Sequence, residues 1–348
     1  MTSLKLLLVG AGLVGLRHID AIHRVRDVGL AAIVDPSEAG ILAARTHDVP
    51  HFEQLDQALT ALPVDGAILA TPNHLHVPQG LMAIAAKVPI LVEKPISDQV
   101  ETAIDLVNAA RSTGVPVAVG HHRRHNPVIQ AIKAQLQAGV IGRPVAVHGS
   151  FWLYKPDDYF EAAWRTKPGA GPVFINLIHD IDLMRYLLGD IAEVQAMDSN
   201  AIRRHDVEDT AVLIMRFESG VLGTMTVSDT VAAPWSWELT AQENPAYPAT
   251  GETCYWIGGT EGSIEVPSGS LWRHSGQRSW WAPIESTFPF QTETIGTETT
   301  GPDPLDLQIE QFCRVIRGEE PPLVSAEEGL KTLMVVERIK AGSNIARD

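Results

Sequence analysis

Residues Gly10-Ala11-Gly12-Leu13-Val14-Gly15 read GxGxxG, a spacing suited to holding a dinucleotide. The first glycine permits a tight turn. The second lets the backbone approach a pyrophosphate, and the third lets a helix pack closely on a strand. Glycines at this spacing also occur in ordinary loops, so context decides. An apolar run, Leu4–Val9, comes directly before the motif and an amphipathic stretch, Val14–Val25, follows it. Strand, turn and helix in that order aim free N–H groups at phosphates. Asp35 ends the next apolar run, about 20 residues beyond the last glycine, where an acid binds both ribose hydroxyls and repels a 2′-phosphate. Pro36-Ser37 follow it rather than an arginine, so the reading favours NAD over NADP. The bland role for Asp35 is to open a turn with Pro36.

Two further segments end apolar runs: Thr71-Pro72-Asn73-His74-Leu75-His76 and Glu93-Lys94-Pro95. The C-terminal edge of a parallel sheet is where ligands bind. Alone, Lys94 reads as a surface charge. His179 is an acid/base candidate by residue type, since an imidazole titrates near neutral pH, but a histidine among apolar neighbours is more often a satisfied core group. At ~100° per residue Ile175, His179 and Asp182 share a helix face, with Asn176 beside it. Asp182 is then placed to orient the imidazole, its bland role being a helix-surface charge. His121-His122-Arg123-Arg124-His125 invites a zinc reading, but the Cys or acidic partners of a closed site are absent nearby, so no metal is expected.

These residues need elements to carry them. Leu4–Val9, Leu30–Val34, Gly66–Ala70, Pro89–Val92 and Val115–Val119 are short, apolar and bounded by Gly, Pro or Asp. Val14–Val25, Phe52–Leu62, Val77–Ala86 and Val100–Ala110 alternate with them as amphipathic helices. Fully apolar strands alternating with helices predict a doubly wound parallel sheet, a Rossmann domain over residues 1–122. From residue 123 to 348 the pattern predicts an α+β domain on a large, mainly antiparallel open sheet. Its helices are Val128–Gln137 and Pro172–Leu188. Its strands are Pro144–Leu153, Val194–Arg203, Thr210–Phe217, Val221–Ser228, Ser236–Ala241 and Gly262–Val266. Arg273–Pro304 reads as loop. Two closing helices carry the stripes Leu305, Ile309, Phe312, Ile316 and Leu330, Leu333, Val336, Ile339.

Composition sets limits. The chain has 348 residues, 45% of them hydrophobic, and a formal net charge of −15. That charge disfavours nucleic acid and anionic membrane surfaces as partners. Cys254 and Cys313 lie far apart, which suits a reducing, cytoplasmic compartment. Leu4–Leu16 mimics a signal h-region, but it carries one early lysine, Lys5, and breaks at Arg17-His18 without a small-residue cleavage site.

Taken together, these motifs resemble the glucose–fructose oxidoreductase / inositol dehydrogenase / rhizopine-catabolism (Gfo/Idh/MocA) family. The matching residues are the Gly10–Gly15 loop, Thr71-Pro72-Asn73 with His76, Glu93-Lys94-Pro95, Gly120 with Arg123, Trp164-Arg165, and His179 with Asp182. The resemblance spans essentially the whole chain. It implies hydride transfer between NAD(P) and a secondary alcohol or carbonyl of a sugar, polyol or related compound. It implies cofactor contacts from Gly10, Gly12, Leu13, Val14, Gly15, Asp35, Thr71, Pro72, Asn73, His76, Glu93 and Lys94. Lys94 is then catalytic beside the nicotinamide, and the Lys94–Pro95 bond a candidate for cis. His179 becomes the acid/base, with Asn176, Asp182, Trp164, Arg165, Arg123 and His122 in support. The sequence departs from the family at Ile175, where many members carry an Asp four residues before the His. Asn176 can hydrogen-bond a hydroxyl but cannot take a proton.

Two alternatives stand beside the polyol oxidoreductase: a dehydrogenase of a cyclic dihydrodiol or small carbonyl compound, and a non-catalytic dinucleotide sensor. Keeping both Lys94 and His179 argues against a sensor. An antiparallel sheet with one exposed face needs cover, so a homodimer or homotetramer through the second-domain sheet is expected.

Overall fold

The computed structural model describes residues 3–287 and 302–342. The chain forms two compact units. One takes residues up to His125 together with Pro302–Met334. The other takes Asn126 onward together with the chain from Val335.

The first unit runs β1 (Leu4–Val9), α1 (Leu13–Arg24), β2 (Val28–Val34), α2 (Glu38–Thr46), β3 (His51–Phe52), α3 (Leu55–Ala61), β4 (Gly66–Leu69), α4 (Asn73–Ala85), β5 (Ile90–Val92), α5 (Val100–Thr113) and β6 (Val117–Val119). Its six strands lie in the order β3-β2-β1-β4-β5-β6, all parallel. Leu6, Leu7, Leu8, Ile33, Ile68 and Leu91 are fully buried, as a sheet covered on both faces requires. The strand order reverses between β1 and β4, so the turns after those strands open at the switch point. The pair α2 and β3 falls outside the sequence expectation. Helix α2 is short and capped by Ser37, whose hydroxyl accepts from Gly40 N at 3.2 Å.

The second unit carries α6 (Pro127–Gln137), β7 (Pro144–Trp152), α7 (Ile178–Leu188), β8 (Ile191–Ser199), β9 (Thr210–Phe217), β10 (Leu222–Ser228), α8 (Trp237–Thr240), β11 (Tyr255–Gly259), β12 (Ser263–Val266), β13 (Leu271–His274) and β14 (Ile284–Thr287). Its eight strands lie in the order β14-β13-β12-β11-β7-β10-β9-β8. All neighbours are antiparallel except β7 and β10. Strand β9 alternates cleanly, with Ala211, Leu213, Met215 and Phe217 buried and Val212, Ile214 and Arg216 exposed.

Three expectations change. Ser236–Ala241 is not a strand. Ser236 caps a short helix, its hydroxyl accepting from Leu239 N, and the local N-cap preference of serine prevails over the apolar run. The predicted helix Pro172–Leu188 starts with a π-turn at Val173–Leu177 before α7. Arg273–Pro304 is not all loop, since β13 ends within it and β14 lies inside it; its stretch 288–301 lies outside the described residues.

The closing helices are α9 (Pro304–Ile316) and α10 (Ala326–Gly342). The linear boundary at 122/123 puts α9 in the second domain, but its stripe packs in the first unit. Leu305, Ile309, Phe312 and Cys313 share one cluster with Leu6, Leu8, Ile19 and Ile22. Arg24 on α1 reinforces this, donating to Asp306 at 2.6 and 2.8 Å and to Asp303 at 3.2 Å. Among the described residues, no helix is long and apolar enough to cross a membrane.

Candidate active site

The turn between β1 and α1 is built around its glycines. Gly10 has φ +93°, and a Cβ there would come within 2.6 Å of the Ala70 carbonyl oxygen. A Cβ on Gly15 would collide with the Gly10 carbonyl, so helix and strand can approach this closely only with glycine. Gly12 differs: nothing lies within 4 Å of the place a Cβ would take. It is the N-cap of α1, with no side-chain cap and no acid in the first turn, and Leu13 and Val14 behind it are exposed. An open approach to uncapped N–H groups suits a pyrophosphate.

Asp35 sits at the end of β2. Its Oδ2 accepts from Ala11 N at 2.8 Å, and its Oδ1 accepts from Ser37 N at 2.8 Å and Ser37 Oγ at 2.5 Å. Partial burial works to raise its pKa, but the hydrogen bonds from Ser37 and Ala11 outweigh it and hold the carboxyl below its usual range. An ionised acid joined to the glycine turn fits a ribose.

The edge at β4 and β5 is braced from within. His76 is buried, with Nδ1 2.8 Å from the Pro95 carbonyl and Nε2 2.8 Å from the Thr71 carbonyl. Burial lowers its pKa despite both contacts, and the ring sits between the Thr71 turn and the lysine loop. The Lys94–Pro95 bond is cis. Glu93 points inward. Its Oε1 lies 2.7 Å from His18 Nε2, and its Oε2 accepts from Lys94 N at 3.1 Å. Burial works to raise its pKa, but His18, His122 and Lys94 pull it down to about 2. A Cβ on Gly120 would lie 2.9 Å from that carboxylate, which is why the end of β6 needs glycine. His18 had a sequence signal, since it falls at helical spacing with the buried Gly15, Ile19 and Ile22.

Beyond β6, His122–His125 form a 3₁₀ turn in which Arg123, Arg124 and His125 are buried. Arg124 donates to Glu328 at 3.0 Å. Among the described residues, no three His, Cys, Asp or Glu side chains gather as metal ligands.

In the second unit, His179, Asp180, Asp182 and Arg185 are all buried on α7, so Asp182 is no helix-surface charge. The Tyr255 hydroxyl donates to Asp180, and Arg185 donates to Asp190 at 2.6 Å. Asn176, in the π-turn before α7, accepts from Lys155 Nζ at 2.8 Å. Trp164 and Arg165 lie in a 3₁₀ turn, Trp164 exposed. Arg165 stacks 4.1 Å from the Tyr159 ring centroid and donates to the Tyr159 carbonyl at 2.6 Å. Neither a motif nor a periodicity marks Lys155.

Both units match models of one family. Residues 4–121 match the oxidoreductase family, NAD-binding Rossmann fold, and residues 129–265 match the GFO/IDH/MocA C-terminal domain. The chain belongs to the Gfo/Idh/MocA oxidoreductases. The rhizopine catabolism protein MocA of Rhizobium meliloti is 25% identical over 345 residues, 97% of this chain and 94% of that protein. The 1,5-anhydro-D-fructose reductase of Ensifer adhaerens is 28% identical over 283 residues, 78% of this chain and 74% of that one. The solved WlbA dehydrogenase of Bordetella pertussis, in complex with NADH and UDP-GlcNAcA, superposes with a TM-score of 0.80 at 24% identity, covering 98% of this chain and 95% of that one. In this Gfo/Idh/MocA oxidoreductase, the glycine turn, Asp35 and the Glu93–Pro95 loop belong to the first unit. Asn176 and His179 belong to the second.

Proposed function

We propose that this oxidoreductase transfers hydride between NAD and a secondary alcohol or carbonyl of a sugar, inositol or related polyol. The observation that carries the reading is Lys94 at the end of β5 and His179 on α7, both kept in a chain whose two halves match the family. The names of the relatives, an anhydrofructose reductase, inositol 2-dehydrogenases and a rhizopine catabolism protein, support a polyhydroxylated substrate.

The nicotinamide, when bound, accepts or returns the hydride. Gly10, Gly12, Leu13, Val14 and Gly15 hold the pyrophosphate. Asp35 takes the ribose, and its charge disfavours a 2′-phosphate. Thr71, Pro72 and Asn73 close the same edge, braced by His76, and buried Glu93 seats the lysine loop. Lys94 stabilises the oxygen as it becomes an alkoxide. His179 accepts the hydroxyl proton in oxidation and returns it in reduction. Asn176, Trp164, Arg165, Arg123 and His122 bind substrate, and Asp182 supports the helix that presents His179.

The test is NADH absorbance with purified protein against sugars, inositols and dihydrodiols, run with NAD and with NADP. Turnover of a polyol with NAD at higher kcat/KM is the expected result. Preference for NADP overturns the cofactor assignment. NADH binding without turnover of anything in the panel supports the sensor instead.

A further inference from the structure

The second unit holds a buried lysine with no role assigned above. Lys155 follows β7, and its Nζ donates to Asn176 Oδ1 at 2.8 Å. The same ammonium lies 3.9 Å from Asp229 and 4.8 Å from the Tyr159 ring centroid. Arg203 fixes the surroundings, donating to Asp229 Oδ1 at 2.7 Å and to the Lys155 carbonyl at 2.6 Å. A solvated surface lysine keeps its rotamer freedom, whereas this one is held along its length.

An ammonium has donors only, and a carboxamide has one acceptor oxygen and two donor hydrogens. The oxygen of Asn176 must therefore face Lys155, and its Nδ2 turns away. Asn176 stands three residues before His179, about one helical turn. We infer that Lys155 is a positioning residue: it fixes Asn176 as a hydrogen-bond donor toward the substrate oxygen handled by His179. The inference rests on the dehydrogenase reading of this site. It gives Ile175 a counterpart, because a donor held at 176 does the orienting and proton acceptance stays with His179. Burial lowers the Lys155 pKa to about 8, with Asp229, Glu238 and Glu208 favouring the ammonium and Arg203 opposing it. Once neutral, the amine can accept, and the amide is no longer held one way.

The test follows the Asn176 side-chain amide by NMR in ¹⁵N-labelled full-length protein saturated with NADH. The signal is identified by its loss in Asn176→Asp. Its resonances should move with pH at a midpoint near 8, and the movement should vanish in Lys155→Met and Lys155→Gln. No movement in the wild type, or movement that persists in the variants, overturns the pairing. In oxidation of myo-inositol, Lys155→Gln should raise KM about tenfold while kcat changes less than about threefold. Unchanged KM and kcat overturn the positioning role. If the wild type oxidises neither myo-inositol nor any other polyol, the dehydrogenase reading falls, and the positioning role falls with it. The amide titration still reports whether Lys155 holds Asn176.

Discussion

Lys94 and His179 share the proposed chemistry, Lys94 beside the substrate oxygen and His179 as the proton carrier. Lys94→Ala and His179→Ala should each lower kcat by at least ~100-fold, the loss typical of a general acid–base group, measured at saturating NAD. Near-normal turnover in either variant refutes its role. Glu93 plays a different part. It is the buried counter-charge that His18 and the Lys94 backbone share, and Gly120 leaves room for it. Gly120→Ala should push that carboxylate aside and raise the Kd for NADH, read by NADH fluorescence titration. Wild-type affinity in that variant would show that the loop tolerates the shift.

At the scale of elements, the π-turn ahead of α7 is held at its start by Glu208, which accepts from Val173 N at 2.9 Å. Burial raises the Glu208 pKa to about 7, with Asp198 adding to it and the Val173 hydrogen bond and Lys340 opposing. A carboxyl whose pKa rises on folding contributes stability that is full below its unfolded value and lost as pH climbs through the folded one. The wild type should therefore lose on the order of 1–2 kcal/mol between about pH 4.5 and 7.5 from this group, after allowance for partial exposure. Glu208→Gln keeps an acceptor for Val173 and should flatten that part of the profile in urea melts. An unchanged slope counts against the assignment.

At the scale of the whole molecule, the outer face of the eight-stranded sheet exposes Met197, Val212, Ile214 and Leu222, with Trp256 beside His148. Apolar side chains in rows on an open sheet mark an association surface. We propose a homodimer or homotetramer built on it. Light scattering at ~10 μM should give a multiple of the chain mass, and Val212→Glu with Ile214→Glu should return it to the monomer by placing charges in the buried centre of the interface. A monomeric wild type would remove the proposal.

Strands β1, β4, β5, β6 and β9 were legible because a strand buried on both faces must be apolar throughout, and one buried on a single face must alternate. The glycine turn and Asp35 were legible because a backbone that approaches this closely admits few residue types. The linear pattern could not tell which surface each stripe would cover. The α9 stripe reads the same whether it packs on its neighbours in sequence or returns to α1, and only packing against Ile19 and Ile22 decides. Ser236 and the π-turn show local hydrogen bonding overriding an apolar pattern. The pairings of His18 with Glu93 and of Lys155 with Asn176 join residues distant in the chain, which composition and periodicity do not encode. The sequence by itself therefore determined the strand, glycine turn and helix unit and the oxidoreductase family. Tertiary structure decided how its charged groups are partnered, because a buried charge takes its meaning from its neighbours.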